Sequence, residues 1–151
     1  MFRFIALLVL LFCASPAQAL EIHIDTAAFT LYLTEGGRVI KSYPVGVGRP
    51  GKEWSGERQV IGKVRNPGWE RPLESQRANP QLPVKIPGGS PQNPLGAAVL
   101  LLSGGDDYGI HGNNNPGSIG RKVSLGCIRM HNKDILELYR LVPLYTPVHV
   151  K

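Results

Sequence analysis

The sequence has very few cysteines, and this scarcity excludes two common kinds of small protein. Cys13 and Cys127 are the only cysteines among 151 residues. A framework of several disulfides, as in many small secreted domains, is therefore excluded. No close pair of cysteine or histidine ligands with zinc spacing occurs either. We expect neither a metal ion nor a cofactor.

Long hydrophobic stretches are also lacking. The apolar run 4–12 is too short for a transmembrane helix, which needs about 20 residues. Arg3 precedes this run, and Ala17-Gln18-Ala19 follows it with the small-x-small pattern of a signal-peptidase site. We predict a signal peptide over residues 1–19. The domain over residues 20–151 is then exported to the periplasm or cell wall, without stable membrane insertion.

The basic residues lack the clustering that is typical of nucleic-acid binding. The chain has 17 Lys and Arg residues against 11 Asp and Glu residues, and the basic ones are scattered. No aromatic-basic binding motif accompanies them, so we expect no nucleic acid as a partner. Moderate positive charge fits an acidic cell-wall or membrane surface better.

The remaining pattern is mostly β. Apolar and polar residues alternate over 20–25, which predicts a half-buried strand. Residues 29–34 and 38–47 flank a glycine-containing turn and predict a hairpin. The apolar run 96–103 predicts a buried strand in the centre of a sheet, and 146–151 predicts a closing strand.

The middle of the chain and one late segment complete the predicted architecture. Residues 48–95 are rich in proline and glycine, which predicts loops around a short strand near 59–64. Long loops of this kind often form a lid or a substrate wall. The one predicted helix has Asn132 as its N-cap and Ile135 on its apolar face, and Pro143 ends it. We expect this helix to pack near the reactive loop.

Cys127 is the first candidate for chemistry, because removal of Cys13 with the signal peptide leaves it without an internal partner. The structural alternative is a buried, inert thiol that acts as a small hydrophobic residue. His111 lies sixteen residues upstream, followed by Gly112. An imidazole near a thiol favours the thiolate, which is the nucleophilic form. The pair predicts a cysteine nucleophile with a histidine base.

The neighbours of Cys127 fit acyl transfer. Gly126 permits a backbone conformation closed to other residues, and backbone N–H groups in such a bend can face an oxyanion. Arg129 lies on the same side as Cys127 if the segment is extended, and its guanidinium suits recognition of a carboxylate. Ser124 is a candidate to orient a substrate amide or a backbone turn. Tyr108 is a further candidate for substrate contact.

These residues together resemble the motif of the L,D-transpeptidase catalytic domain, the YkuD family. In that family a His-Gly pair and a spacer precede Ser-x-Gly-Cys, with Arg or Asn two residues after the cysteine. The chain matches this order with His111-Gly112 and Ser124-Leu125-Gly126-Cys127-Ile128-Arg129. Asn66-Pro67-Gly68-Trp69 and Asn93-Pro94-Leu95-Gly96-Ala97 extend the resemblance over essentially all of 20–151. Leu125 stands where many members have His or Ser.

The resemblance implies an L,D-transpeptidase-like β-sandwich and a defined reaction. Cys127 would attack a peptidoglycan stem tetrapeptide between the L-centre of diaminopimelate and the terminal D-Ala, giving a thioester and releasing D-Ala. An amine, on another stem peptide or on a wall-anchored protein, would resolve the thioester. His111 would act as base and then as acid, oriented by the Gly112 carbonyl, and N–H groups around Gly126 and Cys127 would line the oxyanion hole. Similar enzymes use no metal and react with carbapenems.

Three alternatives stay open from the sequence. Water as the acceptor would make the protein an L,D-carboxypeptidase. A non-catalytic wall-binding module would keep the fold without the reaction, and a general cysteine protease would cleave ordinary L-peptides. The other histidines are assigned structural positions: His23 and His149 on exposed strand surfaces, and His131 next to the helix start.

Overall fold

The computed structural model describes residues 19–151, so the predicted signal peptide lies outside the described residues except for Ala19. The strands are β1 (Leu20–Asp25), β2 (Thr30–Glu35), β3 (Arg38–Pro44), β4 (Val47–Gly48), β5 (Gly56–Arg65), β6 (Trp69–Glu70), β7 (Lys85–Ile86), β8 (Ala98–Leu102), β9 (Gly109–His111), β10 (Lys122–Ser124), β11 (Ile128–Arg129) and β12 (Pro147–Val150). The helices are α1 (Leu73–Ala78) and α2 (Asn132–Leu141), and a short 3₁₀ helix covers Pro116–Ser118. In this part of the chain neither α-helix has the length and apolarity to cross a membrane.

One curled sheet dominates the fold, with strand order β11-β9-β8-β5-β12-β1-β2-β3. β5 forms the corner of this sheet. Its first half pairs with β12 and its second half pairs with β8, and the register shifts between Val60 and Gly62. Strands that bend at such a bulge let a sheet turn and face itself. The two facing parts of this curled sheet correspond to the two layers of the predicted β-sandwich.

The core lies inside the curl and consists of one apolar cluster. Alternate residues of β1, Ile22 and Ile24, are buried, as the alternation in the sequence predicts. Ile135 and Leu138 of α2 are fully buried in the same cluster, and α2 packs against β8 and β9. The prediction of a mostly β fold with a helix near the reactive loop is confirmed.

The hairpin of β2 and β3 is also confirmed, and its turn explains why two glycines occur there. Gly36 and Gly37 have φ of 55° and 79°. Positive φ at both central residues defines the turn type that matches the right-handed twist of strands, and glycine adopts it without a steric penalty.

The middle segment is more ordered than the sequence predicts. β5 has ten residues and begins before the expected strand near 59–64. The expected loops contain the short helix α1 and the small hairpin of β6 and β7. The Arg71 guanidinium is buried and donates to the carbonyls of Asn79 at 2.7 Å and Leu82 at 2.8 Å. These hydrogen bonds hold the segment together around Arg71, and the secondary-structure propensities of the residues give no sign of them.

The start of α2 also differs from the prediction. His131 occupies the N-cap position, and its side chain makes no capping bond. Asn132 is the first helical residue instead. Its Oδ1 accepts from the N–H groups of Ala97 at 3.0 Å and Asn113 at 3.1 Å, and its Nδ2 donates to the Asn113 carbonyl at 3.0 Å. The side chain thereby joins the helix to the loop that follows His111, which is a larger role than capping.

We predict that Asn132→Ala lowers the free energy of unfolding by about 2 kcal/mol, because two backbone donors lose their acceptor in a partly buried place. Urea unfolding measures this change. Lys133→Ala is the matched control, since Lys133 is the next helical residue and is exposed; we expect a change within about 0.5 kcal/mol. Equal losses in the two variants would contradict the role given to the Asn132 amide.

Candidate active site

Two short parallel strands bring the predicted catalytic residues onto one side of the sheet. β9 and β11 pair with Ile110 opposite Ile128 and His111 opposite Arg129. Both isoleucine side chains are buried in the core. Because side chains alternate along a strand, His111 and Arg129 project from the other face. Cys127 directly precedes β11 and by the same alternation shares that face.

Cys127 and His111 line one cleft of about 670 Å³. Tyr108 and Leu125 also line it, together with the apolar side chains of neighbouring strands. The middle segment contributes a wall made of Pro67, Gly68, Trp69, Glu70 and Pro72. The proline- and glycine-rich segment therefore shapes the space in front of the thiol, the role that long loops of this kind often have.

The His111 ring is buried and held in one tautomer. Its Nδ1 lies 2.5 Å from the Gly112 carbonyl oxygen. A carbonyl only accepts, so Nδ1 carries the proton and Nε2 is left as the basic nitrogen. Burial lowers the pKa of His111 to about 4; the bond to Gly112 raises the pKa and the charge of Arg129 lowers it further. The imidazole is neutral at neutral pH.

Cys127 is the free cysteine of residues 19–151 and is only partly exposed. Burial raises the pKa of its thiol above the ordinary value. A backbone hydrogen bond from Gly109 and the charge of Arg129 lower the pKa, and the carboxylate of Asp107 raises it. Burial is the largest of these effects. The thiol is protonated at rest.

The resting pair is thus a neutral thiol with a neutral imidazole, which differs from the thiolate expected from the residue types. A dry environment penalises both charged forms, and one half-buried cation does not offset that penalty. A nucleophilic role for such a thiol would require a base to take its proton at the moment of attack.

A hydrogen-bonded ring shapes the loop that carries the nucleophile. The Ser124 hydroxyl donates to the Cys127 carbonyl at 2.6 Å and accepts from the Gly126 N–H at 3.1 Å. Ser124 is buried and does not line the cleft. These bonds give Ser124 the other role foreseen for it, fixing a backbone turn, and its assignment as a substrate-binding residue stays a prediction.

Position 126 requires a glycine, because of its backbone conformation and because of the side chain that lies against it. Its φ is 127°, a region that side chains with a Cβ rarely adopt. A Cβ at this position would also overlap the ring of Tyr108. The N–H of Gly126 is already bonded to Ser124, whereas the N–H of Cys127 donates to no group found within residues 19–151. One of the two expected oxyanion donors is therefore occupied, and the Cys127 N–H is free.

Comparison with known proteins agrees with this arrangement. A profile of the YkuD family, described as the L,D-transpeptidase catalytic domain, matches residues 20–150. The chain belongs to this family.

Relatives of this L,D-transpeptidase domain occur in distant bacteria. The L,D-transpeptidase YkuD of Bacillus subtilis is 41% identical over 131 residues, which cover 86% of this chain and 65% of that protein. The L,D-transpeptidase YbiS of Escherichia coli K12 is 36% identical over 132 residues, covering 83% of this chain and 42% of that protein. The chain thus spans about two thirds of one relative and less than half of the other.

Solved structures show the same fold. L,D-transpeptidase 3 from Mycobacterium tuberculosis, in complex with a faropenem-derived adduct, superposes with a TM-score of 0.67 at 16% identity. This superposition covers 89% of this chain and 60% of the other. An L,D-transpeptidase from Mycobacterium smegmatis superposes with a TM-score of 0.65 at 19% identity, covering 89% and 59%. The shared architecture persists at low identity.

Two residues next to the candidate active site were missed from the sequence. The Trp54 indole Nε1–H donates to the Gly126 carbonyl at 2.7 Å, and the indole stacks on Tyr108 with ring centroids 5.5 Å apart. The Arg58 guanidinium lies 4.7 Å over the Trp54 ring and pairs with Asp106 at 2.6 Å. Trp54 is 72 residues from Gly126 in sequence, and no local pattern signals that contact.

Arg129 fits the role of an anion-binding group. Its side chain is half-buried and forms no ion pair with the carboxylates of the described residues. Burial lowers the pKa of Arg129, and the neighbouring Cys127 raises it. A half-buried cation without an ionic partner is a favourable place for an anion to bind.

We predict that alkylation of Cys127 by iodoacetamide accelerates steadily from about pH 6 to about pH 9 without a plateau, because burial keeps the thiol pKa high. Mass spectrometry of the Cys127 peptide gives the rate at each pH. A rate that is constant across this interval would reveal a preformed thiolate–imidazolium pair and contradict the neutral resting state. Cys127→Ala provides the blank.

Proposed function

We propose that this domain is a peptidoglycan L,D-transpeptidase with Cys127 as its nucleophile, acting outside the cytoplasm. The observation that carries the proposal is the placement of a thiol and a neutral imidazole in one cleft, with the Arg129 charge close enough to act on both groups. Membership in the family supports the reaction class.

The reaction begins as Nε2 of His111 takes the thiol proton and the sulfur attacks the carbonyl of the L-centre of diaminopimelate. The tetrahedral intermediate collapses when the C–N bond to the terminal D-Ala breaks. His111 returns the proton to the departing amine, so D-Ala leaves neutral at nitrogen and a thioester remains. The Gly112 carbonyl keeps the ring in the tautomer that this exchange needs.

The oxyanion of this intermediate is stabilised by the backbone around the nucleophile. The free N–H of Cys127 is the donor that supports this part of the proposal. Trp54 fixes the Gly126–Cys127 peptide by holding the Gly126 carbonyl. In a trans peptide the C=O and N–H bonds point in opposite directions, so this bond also sets the direction of the Cys127 N–H.

Charges around the cleft favour a zwitterionic substrate and an amine acceptor. Arg129 is suited to a carboxylate of the stem peptide. Asp107 lines the cleft and forms no ion pair within the described residues. A carboxylate in this place attracts a cationic amine, on a second stem peptide or on a wall-anchored protein. The bound amine loses one proton to solvent before it attacks. During attack His111 takes a second proton from the amine and passes it to the leaving sulfur, so that an amide bond forms, the C–S bond breaks and the thiol is regenerated.

The experiment incubates the domain with disaccharide tetrapeptide and resolves the products by mass. We expect release of one D-Ala together with formation of dimers. Cys127→Ala should lower the rate of both by at least about 1000-fold, because the nucleophile is lost. Glu35→Gln is the control, because Glu35 is exposed next to the turn of the β2–β3 hairpin and does not line the cleft of the thiol. D-Ala release without dimers would indicate the carboxypeptidase, and intact substrate would support the wall-binding module. Cleavage of ordinary L-peptides would indicate the protease.

A second prediction tests the role of the indole beside the nucleophile. Faropenem acylation passes through an oxyanion, whereas iodoacetamide reacts at a saturated carbon without one. We predict that Trp54→Phe slows acylation of Cys127 by about 10-fold or more, and changes iodoacetamide alkylation by less than about twofold. Stopped-flow absorbance and intact mass give the two rates.

Trp69→Phe is the matched control, because Trp69 lines the cleft of the thiol and its indole makes no hydrogen bond within residues 19–151. It should leave the ratio of the two rates close to that of the parent chain. If Trp54→Phe slowed both reactions equally, the indole would only support the loop, and the link to the oxyanion would be wrong.

A further inference from the structure

A second cluster of reactive side chains lies on the outer surface of the first and last strands. β1 and β12 are parallel neighbours, with His23 directly opposite His149. Glu21 lies two residues before His23 and so points to the same side. Ile22 and Val148 are buried on the opposite side. The pairing therefore places one carboxylate and two imidazoles side by side, away from the core.

The donor atoms of these three residues converge. Glu21 Oε2 lies 3.0 Å from His23 Nε2 and 3.9 Å from His149 Nε2. All three ligand atoms lie within 4.8 Å of one another. Tetrahedral zinc with bonds of about 2.0–2.2 Å needs donor atoms about 3.3 Å apart. The first distance already fits, and small rotations of half-exposed side chains close the others.

A fourth residue, Glu57, lies beside one of the imidazoles. Glu57 Oε1 lies 3.4 Å from His149 Nδ1, on the strand next to β12. Metal-bound histidines commonly pair their second ring nitrogen with a carboxylate, which fixes the tautomer and makes the ligand nitrogen more basic. Glu57 occupies that place here, and it leaves Nε2 of His149 facing Glu21.

The cluster also has room for an ion. Glu21, His23 and His149 line a cleft of about 620 Å³, separate from the cleft of the thiol. The rings of His23 and His149 lie 4.7 Å apart and are inclined by 14°. Each must turn about its own side-chain bond so that both Nε2 lone pairs meet at one point. Partial exposure leaves both rings free to do so.

We propose that Glu21, His23 and His149 bind a divalent transition metal ion, with zinc as the best match to two imidazoles and one carboxylate. The ion replaces the hydrogen shared by Glu21 and His23, and its fourth position is open to water from the cleft. This site does not depend on the proposed enzymatic function. It clamps the first strand of the domain to the last, so it stabilises the folded chain in proportion to metal occupancy.

The test measures thermal unfolding and metal affinity in the Cys127→Ala protein, in which the thiol can no longer compete for the metal. Zinc at about 100 times its Kd should raise Tm by roughly 5–10 °C. Cobalt should give the visible absorption of a tetrahedral nitrogen–oxygen site. His23→Ala and His149→Ala should abolish both signals, and the conservative variant Glu57→Gln should weaken binding by about 10-fold or more.

His131→Ala is the matched control, because His131 lies at the start of α2 and outside the cluster; the zinc effect should persist in it. The proposal is overturned if zinc leaves Tm unchanged in the Cys127→Ala protein. It is equally overturned if the shift survives in His23→Ala and His149→Ala, since zinc would then bind elsewhere. Glu21→Gln keeps the shape of the side chain and removes the carboxylate ligand. In this variant Tm without zinc should stay close to that of the parent, and the rise of Tm with zinc should be lost.

Discussion

The parallel pairing of β9 with β11 is the constraint on which the site depends. These strands are only three and two residues long, yet their register decides which side chains meet. Ile110 and Ile128 anchor the pair in the core, and that burial fixes the opposite face for His111 and Arg129. A slip of one residue would turn the imidazole into the core and the isoleucine into the cleft. The catalytic geometry thus rests on two buried isoleucines that take no part in chemistry.

The same burial sets the electrostatics. The strands that hold the thiol and the imidazole close together also exclude much of the water that would stabilise their charges, so both groups are neutral at rest. Fixed polar groups hold the ring and the loop in place: the Gly112 carbonyl on the ring, and the Ser124 hydroxyl and Trp54 indole on the loop. Because these contacts are already formed, they would reduce the reorganisation that the proposed attack requires.

The features of the fold and of the candidate site that local sequence patterns encode could be predicted from the sequence. Alternation gave the strands, and the spacing of His111 and Cys127 gave the two residues that line the cleft. Sequence reasoning did not find Trp54, because a tryptophan in a loop gives no sign of the distant carbonyl that it will meet. It assigned Asn132 a capping role, since the N–H groups that it binds belong to remote segments. The protonation state of the thiol was also missed, because burial is a property of the assembled fold.

The corner strand β5 has a consequence for the behaviour of the whole domain. One half of it completes the part of the sheet that contains the first and last strands, β1 and β12, and the other half completes the part that carries the thiol. Separation of the two parts would break the hydrogen bonds of β5 with either β12 or β8. The domain should therefore melt as one cooperative unit, and the slowest amide hydrogens to exchange with solvent should be found along this strand and its two neighbours.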